Sequence, residues 1–249
     1  MLYRVEGIVI RSMDYGEGNK IVTLLTNNSG KVGVLIKGAK KVKSRYGSLA
    51  QPFTYGEFVF FRGPNGGLGN LNAGEIYDSY HTLREHLDQA AYASYVAELT
   101  DRALQDEEAG GFLFEQLKAC LSGYVAGKDA QIVTHLYEMR ILEASGYAPE
   151  LDFCVNCGQE EGPFRVSPHM GGALCIRCSA SDPGALRPGD TAYKLLRLFR
   201  RMDLRRLGDI QVKPETKAEL KLAMRRMMDE LLGLKLKSQT FLDQLDKLT

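Results

Sequence analysis

The chain has 249 residues, enough for two domains or for one domain and a smaller module. Its 44% hydrophobic and 25% charged residues are ordinary for a soluble globular protein, which excludes a disordered or fibrous chain. The formal net charge of +1 hides a division along the sequence. Residues 1–80 carry 10 Lys/Arg against 6 Asp/Glu, residues 81–150 carry 5 against 12, and residues 151–249 carry 17 against 13. A neutral total therefore excludes nothing about partners, and the argument has to be local. No apolar run approaches the roughly 18–20 residues of a membrane span, and Met1 leads directly into a strand-like pattern rather than a signal peptide. A cytoplasmic protein without a membrane partner is expected.

Residues 1–80 read as all-β. Alternating segments run through Tyr3–Arg11, Lys20–Thr26, Lys31–Lys37, Glu57–Arg62 and Leu68–Tyr77. Glycine-rich or Asn-rich turns separate them: Asp14-Tyr15-Gly16-Glu17-Gly18, Asn27-Asn28-Ser29-Gly30 and Gly63-Pro64-Asn65-Gly66-Gly67. Five short strands predict a small closed barrel, with the OB-fold the economical choice over an SH3-like barrel or a small sandwich. The third strand runs into Lys37-Gly38-Ala39-Lys40-Lys41-Val42-Lys43-Ser44-Arg45, where five of nine residues are cationic and none is acidic. Like charges crowded on one loop repel unless an anion neutralises them, and a polyanion gains further by releasing condensed counterions. A solvated loop is the bland alternative.

From about His81 the period becomes helical. Leu83, Leu87, Ala90, Ala91 and Ser94 predict one apolar face on a helix running toward Leu104. Asp106-Glu107-Glu108 reads as a solvated interhelix loop before the break at Gly110-Gly111. A second helix spans Phe112 to Val125, and a third, capped by Asp129, runs to Ser145 and stops at Gly146-Tyr147-Ala148-Pro149. Cys120 lies among core-like residues and reads as a buried thiol.

Cys154-x2-Cys157 and Cys175-x2-Cys178 follow, 17 residues apart, across a hairpin rich in glycine. This spacing predicts a four-cysteine zinc site: one turn offers two sulfurs to the same ion, and four thiolates at about 2.3 Å complete a tetrahedron. A shell closed by four thiolates leaves no position for substrate, so a structural metal is expected. His169 lies in the insert as a rival ligand, although four cysteines already saturate zinc. The fifth cysteine and the tight pairing suit a reducing compartment better than a disulfide framework.

Helices resume over Thr191–Leu207 and about Lys217–Leu232, with Pro214 near a helix start. Leu195, Leu198 and Phe199 are expected to face the core, while Lys194, Arg197, Arg200, Arg201, Arg205 and Arg206 stud the same helix against Asp203 alone. These cations suit phosphates, an acidic peptide or the acidic middle of the same chain. The tail Ser238–Thr249 is mixed in charge and amphipathic. No GxxxxGK[ST], HExxH or GxSxG signature is present, and no nucleophile–base pair stands out, so a non-enzymatic protein is expected.

Taken in order, several segments resemble the RecO family of bacterial recombination mediators over essentially the whole chain. They are Gly7-Ile8-Val9-Ile10 with Tyr15-Gly16-Glu17, Ile21-Val22-Thr23-Leu24-Leu25-Thr26, Lys37-Gly38-Ala39-Lys40-Lys41, Gln51-Pro52-Phe53, and Gly146-Tyr147-Ala148-Pro149-Glu150-Leu151 leading into Cys154-x2-Cys157. The resemblance implies an α+β chain: an OB-fold over 1–80, a helical domain over 81–150 and 184–249, and a zinc-binding insertion over 151–183. It implies binding of single- and double-stranded DNA and annealing of complementary strands. It also implies help in loading RecA onto DNA coated by single-strand-binding protein, with RecR as partner and the acidic tail of single-strand-binding protein as a docking ligand. A place at the nucleoid follows from the same reading.

An OB barrel binds single strands through a cationic groove and aromatic platforms. Lys37, Lys40, Lys41, Lys43 and Arg45 are the candidate phosphate contacts, with Arg11, Lys20 and Lys31 on neighbouring strands as weaker ones. Tyr15, Tyr46 and Phe53 are candidate stacking residues, although core packing suits Phe53 at least as well. Arg197, Arg200 and Arg201 are the candidates for pairing the carboxylates of the acidic tail. The alternatives are an RNA-binding or translation-associated OB protein with a zinc ribbon, a nucleic-acid enzyme with a structural zinc, and a sequence-specific regulator. The second lacks the carboxylate or His–Glu constellation its chemistry requires, and the third lacks a helix-turn-helix.

Overall fold

Alternation of apolar and polar residues, broken by apolar runs such as Ile8-Val9-Ile10 and Phe58-Val59-Phe60-Phe61, sets the N-terminal architecture. A computed structural model describes residues 1–64, 66–105 and 110–245, and in it five strands close a barrel. They are β1 (Leu2–Tyr15), β2 (Asn19–Thr26), β3 (Lys31–Ile36), β4 (Tyr55–Gly63) and β5 (Gly66–Asp78), in the order β1-β2-β3-β5-β4, with β4 returning to β1. Only the β3–β5 pairing is parallel among these ladders. This is the OB order, and the expected five-stranded barrel is present.

Its interior is built by the inward set of the alternation: Val22 and Leu24, Val32, Val34 and Ile36, Phe58 and Phe60, with Val5 and Val9 from β1. Ile8 and Leu25, paired across β1 and β2, are also buried although they belong to the opposite face. Helices α2 (Leu87–Ala103) and α3 (Gly111–Val125) lie against that side of β1 and explain it. Gly56 on β4 permits the close β4–β5 approach, because a Cβ there would fall 2.2 Å from the Glu75 carbonyl oxygen.

The chain forms two compact units. One contains Met1–Gly127 and the C-terminal stretch from Leu236, the other Lys128–Lys235. In the first, α1 (Thr82–Glu85), α2 and α3 accompany the barrel, and α7 (Lys237–Leu245) packs on α2. The Glu98 carboxylate on α2 accepts from the backbone N–H groups of Lys237 and Ser238 and from the Ser238 hydroxyl, so it caps α7 from a neighbouring helix. The second unit holds α4 (Ala130–Ala144), α5 (Asp190–Arg201), α6 (Pro214–Leu231) and a three-stranded sheet in the order β6-β8-β7. Those strands are β6 (Glu150–Cys154), β7 (Phe164–Ser167) and β8 (Gly172–Cys175).

Several expectations need correction. The helix expected from His81 is interrupted at His86, whose extended backbone (φ −113°, ψ 123°) resets the helical phase. Leu87 is therefore 61% exposed and Ser94 lies outward, while Ala93, Tyr95, Val96 and Leu99 make the buried face. The Thr191–Leu207 helix stops at Arg201, because Met202 turns extended and Asp203 caps a separate short turn over Leu204–Arg206. Within α5, Phe199 is buried as expected, but Leu195 is only half-buried and Leu198 is exposed, and Ala192 and Leu196 complete the buried face instead. The cysteine insert is a parallel-antiparallel sheet rather than a simple hairpin. Asp129 does cap α4, accepting from Ile132 N–H at 3.3 Å, and Cys120 is fully buried. Asn65, the Asp106-Glu107-Glu108 cluster and residues 246–249 of the tail lie outside the described residues.

Candidate nucleic-acid interface and metal centre

The basic loop leaves β3 through Gly38, whose φ of +68° suits a residue without a side chain. The Asn19 side-chain oxygen accepts from Gly38 N–H at 2.9 Å, and the Gly18 carbonyl accepts from Lys40 N–H at 3.1 Å. These two bonds pin the start of the loop against the β1–β2 turn. Ala39 is buried as an anchor, while Lys37, Lys40, Lys41, Lys43 and Arg45 all reach solvent. Lys40 pairs with Asp14 at 2.7 Å, and Lys20 shares the same carboxylate at 3.4 Å. The hydrogen bond from Lys40 is the main reason that the Asp14 carboxyl is held below its usual range, with Lys20 adding to it. Lys37, Lys41, Lys43 and Arg45 have no acidic partner among the described residues. Four cations without an acidic partner on one pinned loop concentrate positive charge there.

Aromatic side chains adjoin it. Tyr15, 53% exposed, ends β1 at the same turn. The Arg45 guanidinium lies 5.4 Å from the Tyr46 ring centroid, and the Tyr46 hydroxyl donates to the Asn72 carbonyl at 3.1 Å. Phe53 belongs to the core at 5% exposure, so it offers no stacking platform. Of the three weaker strand candidates, Lys20 stands beside the loop at Asp14, whereas Lys31 and Arg11 have a different setting. The Lys31 side chain is only 8% exposed, and its ammonium donates to the Asp101 carbonyl at 2.7 Å and lies 3.6 Å from the Asp101 carboxylate. Arg11 lies 3.3 Å from the same carboxylate and donates to the Thr23 hydroxyl. Sequence pattern places Lys31 at a strand end; only the fold reveals that a helix 70 residues later covers it.

In the second unit the four predicted cysteines converge. Their sulfurs all lie within 4.8 Å of one another, and Cys157 and Cys175 stand 3.7 Å apart. Sulfurs at about 2.3 Å from a central zinc have tetrahedral edges of about 3.8 Å, so the donor set fits a closed tetrahedral ion. Burial pushes the Cys154 thiol up, but hydrogen bonds from the backbone of Cys175, Cys157 and Asn156 outweigh it and bring the thiol down to about 6. The Cys178 backbone likewise lowers Cys175. Cys178 is eased down by the Asn156 side chain, yet the neighbouring cysteines and burial together leave it at about 11. Four sulfurs gathered this closely, with Cys154 and Cys175 held toward the thiolate, are a donor set that could hold a divalent cation. His169 stands elsewhere, 3.0 Å from Glu230, and does not join the four sulfurs.

Arg197, Arg200 and Arg201 project from one face of α5 toward β6. Arg197 donates twice to Asp152 (2.9 and 2.7 Å), Arg200 to Asp152 and Glu150 (each 3.1 Å), and Arg201 to Asp152 (2.5 Å). Burial would raise Asp152, but Arg201 and Arg197 hold its carboxyl below the usual range. Tyr193 adds a bond to the Leu151 carbonyl and stacks on Phe164 with centroids 5.7 Å apart. This clamp fastens the cysteine module to α5. Beside it, Arg140, Arg200 and Arg201 line a cleft of about 260 Å³ with Met139, Glu143 and Ala148. Sequence reasoning missed Glu150, Asp152 and Arg140; a pairing across more than 40 residues leaves no mark on local periodicity.

Comparison with known proteins agrees with this architecture. The family described as Recombination protein O N terminal matches residues 1–80, and that described as Recombination protein O C terminal matches residues 84–240. The chain is similar to proteins named DNA repair protein RecO from Bacillus pumilus, Bacillus subtilis and Halalkalibacterium halodurans. Each is 44% identical over 248 residues, covering 100% of this chain and 96–97% of the relative. The chain belongs to the RecO family.

Proposed function

From membership of that family we propose that the protein acts in DNA repair and recombination as a mediator rather than a catalyst. It binds single- and double-stranded DNA without sequence preference, anneals complementary strands, and assists RecA loading onto DNA coated by single-strand-binding protein, together with RecR. The observation that carries the reading is the pinned loop on the OB barrel, whose exposed Lys37, Lys41, Lys43 and Arg45 lack acidic partners among the described residues. Phosphate contacts from such side chains position a strand without reading its sequence, which suits action on any DNA. Lys40 and Lys20 contribute by giving up Asp14, Tyr15 and Tyr46 offer base platforms, and Arg11 and Lys31 join only if Asp101 yields them. Annealing then needs no reacting group: a surface that neutralises two strands at once lowers their mutual repulsion and lets base pairing proceed.

Zinc bound by Cys154, Cys157, Cys175 and Cys178 holds the insertion together. Arg197, Arg200 and Arg201 dock the acidic tail of single-strand-binding protein by exchanging Asp152 and Glu150 for the tail's carboxylates. Action at the nucleoid in the cytoplasm completes the reading. The test is annealing of two complementary labelled oligonucleotides, bare and then coated with single-strand-binding protein, with RNA of the same sequence as competitor. Acceleration on both substrates that RNA competes poorly supports the proposal. Binding to RNA in preference to DNA would transfer the protein to the translation-associated alternative.

A further inference from the structure

On the outer surface of the barrel a row of residues runs across the strands, away from the basic loop. Arg11 on β1 stands opposite Thr23 on β2, and Thr23 opposite Gly33 on β3. Leu68 of β5 comes next, close enough that a Cβ on Gly33 would meet its Cδ1 at 3.1 Å. Arg62 at the end of β4 donates from Nε to the Gly67 carbonyl at 2.7 Å. Asp101 and Arg102, at the C-terminal end of α2, form the far wall, and the enclosed cleft measures about 410 Å³.

The charge in this cleft is unbalanced. Arg11, Lys31, Arg62 and Arg102 line it against a single carboxylate, Asp101. That carboxylate lies 3.3 Å from Arg11 and 3.6 Å from Lys31, which leaves Arg62 without an anionic partner among the described residues. Glu98, near enough to Arg102 to feel its charge, is already engaged in capping α7. Cations gathered in a concave, partly desolvated site focus their field on whatever anion enters. Along β1, Arg11, Met13 and Tyr15 alternate onto one face and are all exposed, so the cleft continues as a strip toward the turn that holds the basic loop.

We propose that this cleft is a phosphodiester site for a single DNA strand, gripped by Arg62 and Arg102, in which Asp101 stands as an internal anion that an incoming phosphate replaces. The proposal rests on the DNA reading above and adds a second contact region to it. An anion built into the site makes binding an exchange: Arg11 and Lys31 release Asp101 only to another negative group.

Fluorescence anisotropy of labelled oligothymidylate across a potassium chloride series tests it on the full chain. Each lost single-strand phosphate contact makes the salt slope shallower by about 0.7, so Arg62→Ala/Arg102→Ala reduces it by about 1.4 and weakens binding on the order of 20-fold at 0.1 M salt. Both side chains reach the surface, and an unchanged melting midpoint certifies the fold. Asp101→Asn, by freeing Arg11 and Lys31, is expected to tighten binding several-fold and steepen the slope. Wild type without salt-dependent binding overturns the DNA reading and the cleft together. Wild type that is weakened by Lys41→Ala/Lys43→Ala but indifferent to Arg62→Ala/Arg102→Ala overturns the cleft alone. A melting-competent Asp101→Asn protein that binds more weakly overturns the role of Asp101.

Discussion

Replacing Cys175 by alanine tests how much order the cysteine module would owe to the proposed zinc. The buried set of that module is Cys154, Leu174, Cys175 and Ala185, with Val155, Phe164, Met170 and Cys178 packed against it. Half of the buried members are therefore cysteines of the proposed zinc site. Burial of Leu174 contributes about 2 kcal/mol and Ala185 less, whereas structural zinc in small modules contributes about 10–16 kcal/mol. Strands of four and five residues cannot make up that difference alone. Cys175→Ala, or chelation of the wild type, should therefore strip the module of order while leaving the barrel intact. Hydrogen exchange measured by mass spectrometry should show protection lost over 164–178 and retained over β1–β4, with bound zinc falling from one equivalent to a small fraction. DNA affinity should change by no more than about twofold, because the substitution lies outside the barrel. A zinc-free variant with full protection over 164–178 would refute the reasoning. So would a fully stable variant that no longer binds DNA.

Other outcomes follow from single contacts. Gly56→Ala places a methyl 2.2 Å from the Glu75 carbonyl oxygen, so it should cost about 3 kcal/mol in urea denaturation by prising β4 from β5. Glu98→Gln weakens the cap on α7 and should cost about 1 kcal/mol, read as faster exchange of the 237–245 amides. Asp152→Asn removes the acceptor shared by three arginines, for about 1 kcal/mol after allowing for solvent screening. Because the folded Asp152 carboxyl is depressed, its contribution is present above the unfolded carboxylate pKa and disappears as pH falls through the folded value. Melting of wild type and Asp152→Asn should therefore converge in acid; a gap that persists there contradicts the pairing.

The barrel was legible because its signal is local. Period-two alternation fixed all five strands to within a few residues, and β1 only runs further, to Tyr15, because the hairpin with β2 extends past the closed region. The four-cysteine cluster was legible for the same reason: two short motifs carry all four sulfurs. Asp129 and Pro214 marked their helix starts through side-chain chemistry that acts within one turn. What escaped depends on distant partners. Nothing in His86 itself announces a break, so the phase of α2 was misplaced and Leu87 was assigned to the core. Helix α7 is nine residues long, too short for its period to stand out, and its start is capped from α2. Lys31 and Arg11 looked like surface cations because Asp101, their counter-charge, belongs to another element. For Arg197, Arg200 and Arg201 the sequence offers phosphates, an acidic peptide or acidic residues of the same chain, and only the fold shows Asp152 and Glu150 of β6 as their partners.

In the function proposed above, a cationic loop on the OB barrel gathers DNA strands for annealing. Annealing rates of complementary labelled oligonucleotides, compared between wild type and Lys41→Ala/Lys43→Ala/Arg45→Ala across a salt series, test it most directly. The variant should anneal more slowly, with a single-strand binding slope shallower by about 2, since three contacts of about 0.7 each are lost. Equal rates and equal slopes for the two proteins would contradict it.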